Sequence, residues 1–177
     1  MLHRRHLLLA LVLFTSAGRA EQGSLLGCWI TDGDKGVVEM IADEEGVHGR
    51  IVGLEQPRFL EGEPGATPGA VRTDLAHPDP ALRDRPLPGL RLIEGLQADG
   101  DSWSDGTVYD PESGRAYALK ASLERDGRLR LRGYVGSPLL GRTIHWEPAS
   151  RRPALTRTLL ARTADLLPDG AAPRCDL

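Results

Sequence analysis

Between Trp103 and Trp146 the chain passes through four stretches in which apolar and polar residues alternate, each closed by Gly, Pro or Asp. That pattern commits the region to an antiparallel meander. From Arg115 to Glu124, side-chain alternation puts Tyr117, Leu119, Ala121 and Leu123 on one face and Lys120, Ser122 and Glu124 on the other. From Arg128 to Tyr134, Leu129, Leu131 and Gly133 oppose Arg128, Arg130, Arg132 and Tyr134. A slip of one residue would set Leu123 against Arg130 and drive an arginine inward, so Leu123 pairs with Leu129 and Glu124 with Arg128. The connection is then the loop Arg125-Asp126-Gly127, with Gly127 in the left-handed position of a bulged hairpin. Upstream, Asp110-Pro111-Glu112-Ser113-Gly114 is a turn that pairs Val108 with Tyr117 and leaves Asp110 facing Arg115.

Strand-like runs also precede the meander: Gly27 to Ile30, Val37 to Ala42, Val47 to Leu54 with His48 and Arg50 on its outer side, and Leu90 to Ala98. Gly49 and Gly53 suit strong strand curvature. About eight short antiparallel strands can close into a small barrel with no exposed edges, which makes an all-β, up-and-down β-barrel the expected architecture. After Trp146 the period changes. Pro153 opens a helix on which Leu155, Leu159, Leu160, Leu166 and Leu167 share one face, and Pro168-Asp169-Gly170 stops it. This C-terminal amphipathic helix is expected to pack outside the sheet.

At 177 residues and 40% hydrophobic composition the chain has room for one core. Met1 to Ala20 carries the basic, apolar and small-residue regions of a secretory signal peptide, too short in its apolar run for a permanent span. The expected division is a signal peptide over 1–20, a barrel domain over 21–148 and a helix with tail over 149–177. The product is expected to be periplasmic, with no transmembrane segment after cleavage. Arg4, Arg5 and Arg19 leave with the signal, making the exported chain more acidic than the whole, which has 22 basic and 25 acidic residues. The outward arginine row is thus a mixed-sign solvated face beside Glu124, Asp126 and Glu112, and no nucleic-acid partner is expected. Cys28 and Cys175 suggest one disulfide in an oxidising compartment, worth about 5 kcal/mol by chain entropy. Two free thiols, or a lipoprotein box at Leu25-Leu26-Gly27-Cys28 placed oddly far from the apolar run, are the alternatives.

The connection from 55 to 89 is long and rich in Pro and Gly, which marks it as functional or mobile. Its first half, to Arg72, reads as an insertion without packing instructions; its second half, from Asp74, reads as ordered.

The runs D-x-x-H-P-D-P-x-L-R-x-R-P-L-x-G-L (Asp74 to Leu90), W-x-x-G-x-V-Y-D-P-x-S-G-x-x-Y (Trp103 to Tyr117) and R-G-Y-V-G-x-x-L-L-G-R-T-x-x-W (Arg132 to Trp146) resemble, in that order, an exported bacterial family known only as a domain of unknown function. The resemblance implies a calycin-like, lipocalin-like barrel in the periplasm. Gly27-Cys28-Trp29 is similar to the calycin G-x-W signature, and Arg142 matches the late-strand arginine that packs across that tryptophan in calycins. His77 stands where the family more often has Asn. No activity comes with the resemblance.

Asp74, His77 and Asp79 could form a metal site, but without a second His or Cys pair at ligand spacing, caps of Pro-rich turns are preferred and no metal is expected. No serine has a nucleophile-elbow context, so no catalytic residue, no cofactor and no enzyme activity is assigned. Arg83, Arg85 and Arg142 could clamp an anion at the barrel mouth; pairing with Asp79, Asp84 or Asp110 is the structural alternative. Trp29, Trp103, Tyr109, Tyr117 and Tyr134 could line a cavity or simply fill the core. Two functions follow as expectations. One is a barrel binding a small apolar or amphiphilic ligand through Trp29, Asp74, His77, Arg83, Arg85, Trp103, Tyr109, Tyr117, Tyr134 and Arg142, an idea that requires a luminal cavity. The other is an envelope interaction or scaffold protein with a solid core.

Overall fold

A computed structural model describes residues 24–177; the signal-peptide reading of 1–20 lies outside the described residues. Eight strands form one closed antiparallel barrel in sequence order: β1 (Gly27–Ile30), β2 (Gly36–Asp43), β3 (Gly46–Leu54), β4 (Arg91–Asp99), β5 (Ser102–Asp110), β6 (Arg115–Leu123), β7 (Leu129–Tyr134) and β8 (Arg142–Pro148). The predicted hairpin registers are present: Leu123 pairs with Leu129, Val108 with Tyr117, and Asp110 with Arg115. Gly127 has φ of +79° in the β6–β7 loop. There Glu124 accepts an ion pair from Arg128 at 3.0 Å. Alternation of side chains dictates what fills the barrel. Trp29, Val38, Met40, Ile93, Leu96, Leu119, Ala121, Leu129, Leu131 and Trp146 converge in one core, with Val47, Trp103, Val108 and Ile144 packed against it.

The β1–β2, β3–β4, β5–β6 and β7–β8 connections share one end of the barrel, called the rim below. Closure is weakest between β1 and β8, where Trp29 pairs with Pro148 and Ile30 with Glu147. β1 stops at Ile30, so the first half of β8 has no strand neighbour on that side among the described residues.

A second core lies on the outer face of β1–β3, where Cys28, Val37, Val52, Ala149 and Leu159 meet, flanked by Leu155, Leu160 and Cys175. It is covered by helix α1 (Pro153–Thr163), packed outside the sheet as its leucine spacing predicts. α1 is shorter than that spacing suggests: a 3-10 turn replaces it from Ala164 to Leu166. Thr156 and Thr163 are buried in the interface. Thr163 Oγ1 accepts from Leu54 N–H at 2.8 Å and donates to Leu159 O, tying the helix to the end of β3. Gly53 has a role beyond curvature, since a Cβ there would lie 3.2 Å from the Leu159 backbone. Gly49 likewise leaves space for Met40, whose sulfur would sit 2.8 Å from an added Cβ. The Cys28–Cys175 disulfide is present and draws the C-terminal tail over this face. There Arg174 N–H donates to the buried Glu39, which also pairs with Arg50 at 2.6 Å. Among the described residues, no helix is long and apolar enough to cross a membrane.

The first half of the long connection corrects the expectation of an unpacked insertion. Phe59 N–H donates to Ala70 O, Gly69 N–H to Phe59 O, and Arg72 N–H to Pro57 O, folding 57–72 back on itself. Phe59 is buried beneath the Arg72 guanidinium, 4.9 Å from its ring centre. Arg72 in turn donates two hydrogen bonds to Glu63. That pairing holds the Glu63 carboxyl below its usual range, helped by the Leu60 N–H. The order comes from a cation–π contact and a forked ion pair, which composition does not reveal.

Candidate functional site at the barrel rim

The ordered half of the long connection is fastened to the rim through one buried carboxylate. Asp74 has no accessible surface. Its Oδ1 accepts from the Tyr109 hydroxyl at 2.7 Å, and its Oδ2 accepts from Arg85 Nε at 2.9 Å and Arg85 Nη2 at 2.8 Å. The Arg85 guanidinium also lies 5.1 Å from the centre of the Tyr109 ring, and the His77 ring lies 5.6 Å from it at 47°. Burial, and then the hydrogen bond to Asp74, push the Tyr109 hydroxyl up to about 12, so it stays a donor through the neutral range. Backbone bonds from Asp74 N–H to Arg85 O and from His77 N–H to Asp74 O shape the loop. Gly114, at φ +67° in the β5–β6 turn, receives it: a Cβ at that position would come 2.0 Å from Ala76 O. The first two of the three sequence motifs thus build a single clasp between a loop and a strand end.

Several expectations change here. Asp79 does cap a turn, its Oδ1 accepting from Ala81 N–H. Asp74 is instead a buried acceptor, and it, not Asp79, Asp84 or Asp110, is the partner of Arg85. Every oxygen of Asp74 is engaged, and His77 Nδ1 accepts from Asp79 N–H, so Asp74, His77 and Asp79 do not converge on an ion site. Arg83 is exposed, its Nε donating to His77 O. Arg142 is exposed at the start of β8, at the opposite end of the strand from the Pro148 that pairs with Trp29. The arginine-over-tryptophan packing implied by the resemblance is therefore not formed by this pair. Trp29 is buried, its indole N–H donating to Leu25 O at 2.9 Å, and Trp103 packs against the same core. Tyr117 and Tyr134 are half-buried near the rim.

Sequence reasoning passed over Asp43, Glu45 and His48, whose ligand atoms lie within 4.8 Å of one another. His48 faces outward on β3, yet is buried. Gly95 N–H donates to its Nδ1, which assigns the ring proton to Nε2, the atom 2.7 Å from Asp43 Oδ1. The Glu45 N–H, and then His48, hold the Asp43 carboxyl below its usual range. Both ring nitrogens are spent, and the cluster reads as a satisfied strand-edge latch.

Ile93, Leu96, Leu119, Leu129 and Leu131 keep 0–1% of their surface accessible to water. A void able to hold a water would leave its lining accessible, so no water-sized space borders these five side chains at the heart of the barrel. The two clefts that stand out are open ones outside this core. One, of about 360 Å³, follows the β1–β8 seam between Thr31–Asp34 and Thr143–Glu147; the other, of about 310 Å³, lies beside Leu26 and Ser150 at the end opposite the rim.

Residues 27–148 match the DUF2147 family, described as uncharacterized protein conserved in bacteria. The chain belongs to the DUF2147 family. Its fold is similar to that of HP1028 from Helicobacter pylori, a protein described as belonging to the lipocalin family, with a TM-score of 0.58 at 18% identity. That similarity covers 79% of this chain and 97% of the other. A segment is also 33% identical to cobyric acid synthase of Cereibacter sphaeroides over 121 residues, 66% of this chain. This DUF2147 chain spans only 24% of that relative's length.

Proposed function

We propose that this protein is a filled, lipocalin-like barrel that works as a periplasmic interaction module, binding through its loop-bearing rim and outer face instead of carrying a ligand in its lumen. The observation that carries this reading is the absence of water-accessible surface at the centre of the barrel, on Ile93, Leu96 and Leu129. A carrier needs a cavity of about 300 Å³ or more inside apolar walls, and the core side chains occupy that space. The rim, by contrast, carries connections that are locked in shape by the Asp74 clasp and offer exposed side chains at Leu82, Arg83 and Asp84. The signal-like pattern of Met1 to Ala20 and the Cys28–Cys175 disulfide both support export to an oxidising compartment.

A second reading has its own support at the barrel mouth. Val108, Tyr117 and Ile144 are half-buried around Gly133, where an added Cβ would meet Tyr117 at 3.6 Å and Val108 at 3.7 Å, and Arg142 is the register partner of Gly133. An amphiphile could lie across this notch with its anionic head on Arg142. Titration with a fluorescent fatty acid decides between the two. The filled-module reading expects no saturable binding, whereas a saturable site weakened about tenfold by Arg142→Gln, the cost of one charge-assisted hydrogen bond, would replace it with the amphiphile reading.

A further inference from the structure

The β7–β8 connection ends in an apolar tip. Val135, Leu139 and Leu140 are 72%, 88% and 85% exposed, the most exposed large hydrophobic side chains among the described residues. Single exposed leucines need no explanation, but these share one short loop, and the loop is built to hold them out. Arg132 Nε donates to Pro138 O at 2.6 Å, its Nη2 to Leu139 O at 3.3 Å, and its Nη1 to Thr143 Oγ1 at 2.9 Å. Ser137 Oγ accepts from Leu139 N–H, and Leu140 N–H donates to Ser137 O, closing a turn of 3-10 helix over Pro138–Leu140. At its base Gly141 packs so tightly that a Cβ would lie 2.6 Å from Gly133 O.

Cations predominate around this tip. Arg115, Lys120, Arg132 and Arg142 take part in none of the ion pairs among the described residues, and the acid facing Arg115 in register is Asp110. Lys120 and Arg132 are register partners on the outer face of β6 and β7, and Arg130 lies on the same face further from the rim, level with His145. Further from the rim, Arg128 pairs with Glu124 and Asp126, and His145 Nε2 lies 3.2 Å from Glu124. Of the rim acids, Asp32 is exposed, whereas Asp110 and Glu112 are engaged. Asp110 accepts from the Ser113 hydroxyl and the Glu112 N–H, while Glu112 pairs with Lys35.

We propose that this face docks on the surface of an anionic phospholipid bilayer, a proposal that rests on the rim being the working surface and names its partner. Leu139, Leu140 and Val135 enter the boundary between headgroups and acyl chains, and Arg115, Lys120 and Arg142 meet the lipid phosphates. An apolar tip fringed by cations is what an interfacial anchor requires. A protein partner is a poorer match, because a convex tip of three side chains offers far less than the roughly 800 Å² per side of a stable interface. A second copy is poorer still, since an isologous contact would set the arginine face against itself.

Cosedimentation of the disulfide-intact protein with vesicles tests this. The expected result is pelleting with mixed phosphatidylcholine–phosphatidylglycerol vesicles at low salt, none with phosphatidylcholine alone, and release by added salt. Leu139→Ser with Leu140→Ser should weaken partition by about tenfold or more. Lys120→Gln should weaken it by roughly fivefold. Both sets of side chains are exposed, so the unfolding midpoint should be unchanged, which separates lost docking from lost fold. Failure of the wild type to pellet with the anionic vesicles, or unaltered pelleting of the double-serine variant, overturns the proposal. So does self-association in sedimentation velocity that the serine changes abolish while vesicles are ignored. None of these outcomes touches the filled-barrel reading, which stands or falls on ligand binding.

Discussion

Asp74 shows how much one buried carboxylate can organise when every oxygen is satisfied. Its hydroxyl partner Tyr109 lies 35 residues further along the chain, and no local pattern links the two. In the sequence Asp74 therefore looks like one more turn former in a Pro-rich loop, which is the role Asp79 actually plays. Tyr109→Phe should cost about 1–3 kcal/mol in urea unfolding, the usual consequence of stranding one side of a buried hydrogen bond. The same group predicts an alkaline limb. The folded value of about 12 exceeds the roughly 10 of an unfolded tyrosine, so its contribution is complete below pH 10 and lost as pH climbs from there towards 12. Tyr109→Phe should flatten that limb, visible as a smaller fall in unfolding midpoint over the same range. Gly114→Ala attacks the clasp from the other side. A Cβ meeting Ala76 O at 2.0 Å on a residue with φ of +67° should destabilise by about 2–4 kcal/mol, and a variant as stable as the wild type would contradict the clasp.

The hairpins were legible because two-residue alternation and turn chemistry constrain register together. Leu123 could pair with Leu129 in only one way without burying an arginine. The helix was legible for a similar reason, since Leu155, Leu159 and Leu160 mark one face. Its docking was not, because Thr156 and Thr163 are polar residues on that face and read as solvent-exposed until the Leu54 N–H that Thr163 accepts is located. The disulfide joins the same layer to the tail, and with 147 residues between its cysteines it restrains almost the whole described chain. Cys175→Ser should lower stability by about 2–5 kcal/mol. It should also release the Arg174 N–H from Glu39 and open the tail to protease ahead of the barrel. A tail that stays protected in the serine variant would mean that α1 and Glu39 hold it without the disulfide.

Strand number and closure followed from counting alternating runs, and the lipocalin-like fold is what the structure and its similarity to HP1028 show. Filling did not follow, because alternation says which side chains point inward and says nothing of how much volume they occupy. Whether Trp29, Trp103 and Trp146 surround a space or replace one is decided by packing between strands distant in sequence. They pack into one core with Leu96, Leu119 and Leu131, which is the basis of the filled-barrel proposal. Native mass spectrometry of the protein released gently from cells, set against the same sample denatured, tests this most directly. A filled barrel predicts one bare mass in both states, two hydrogens below that of the reduced chain. A stoichiometric added mass that vanishes on denaturation would show that the barrel opens for a ligand, and would contradict it.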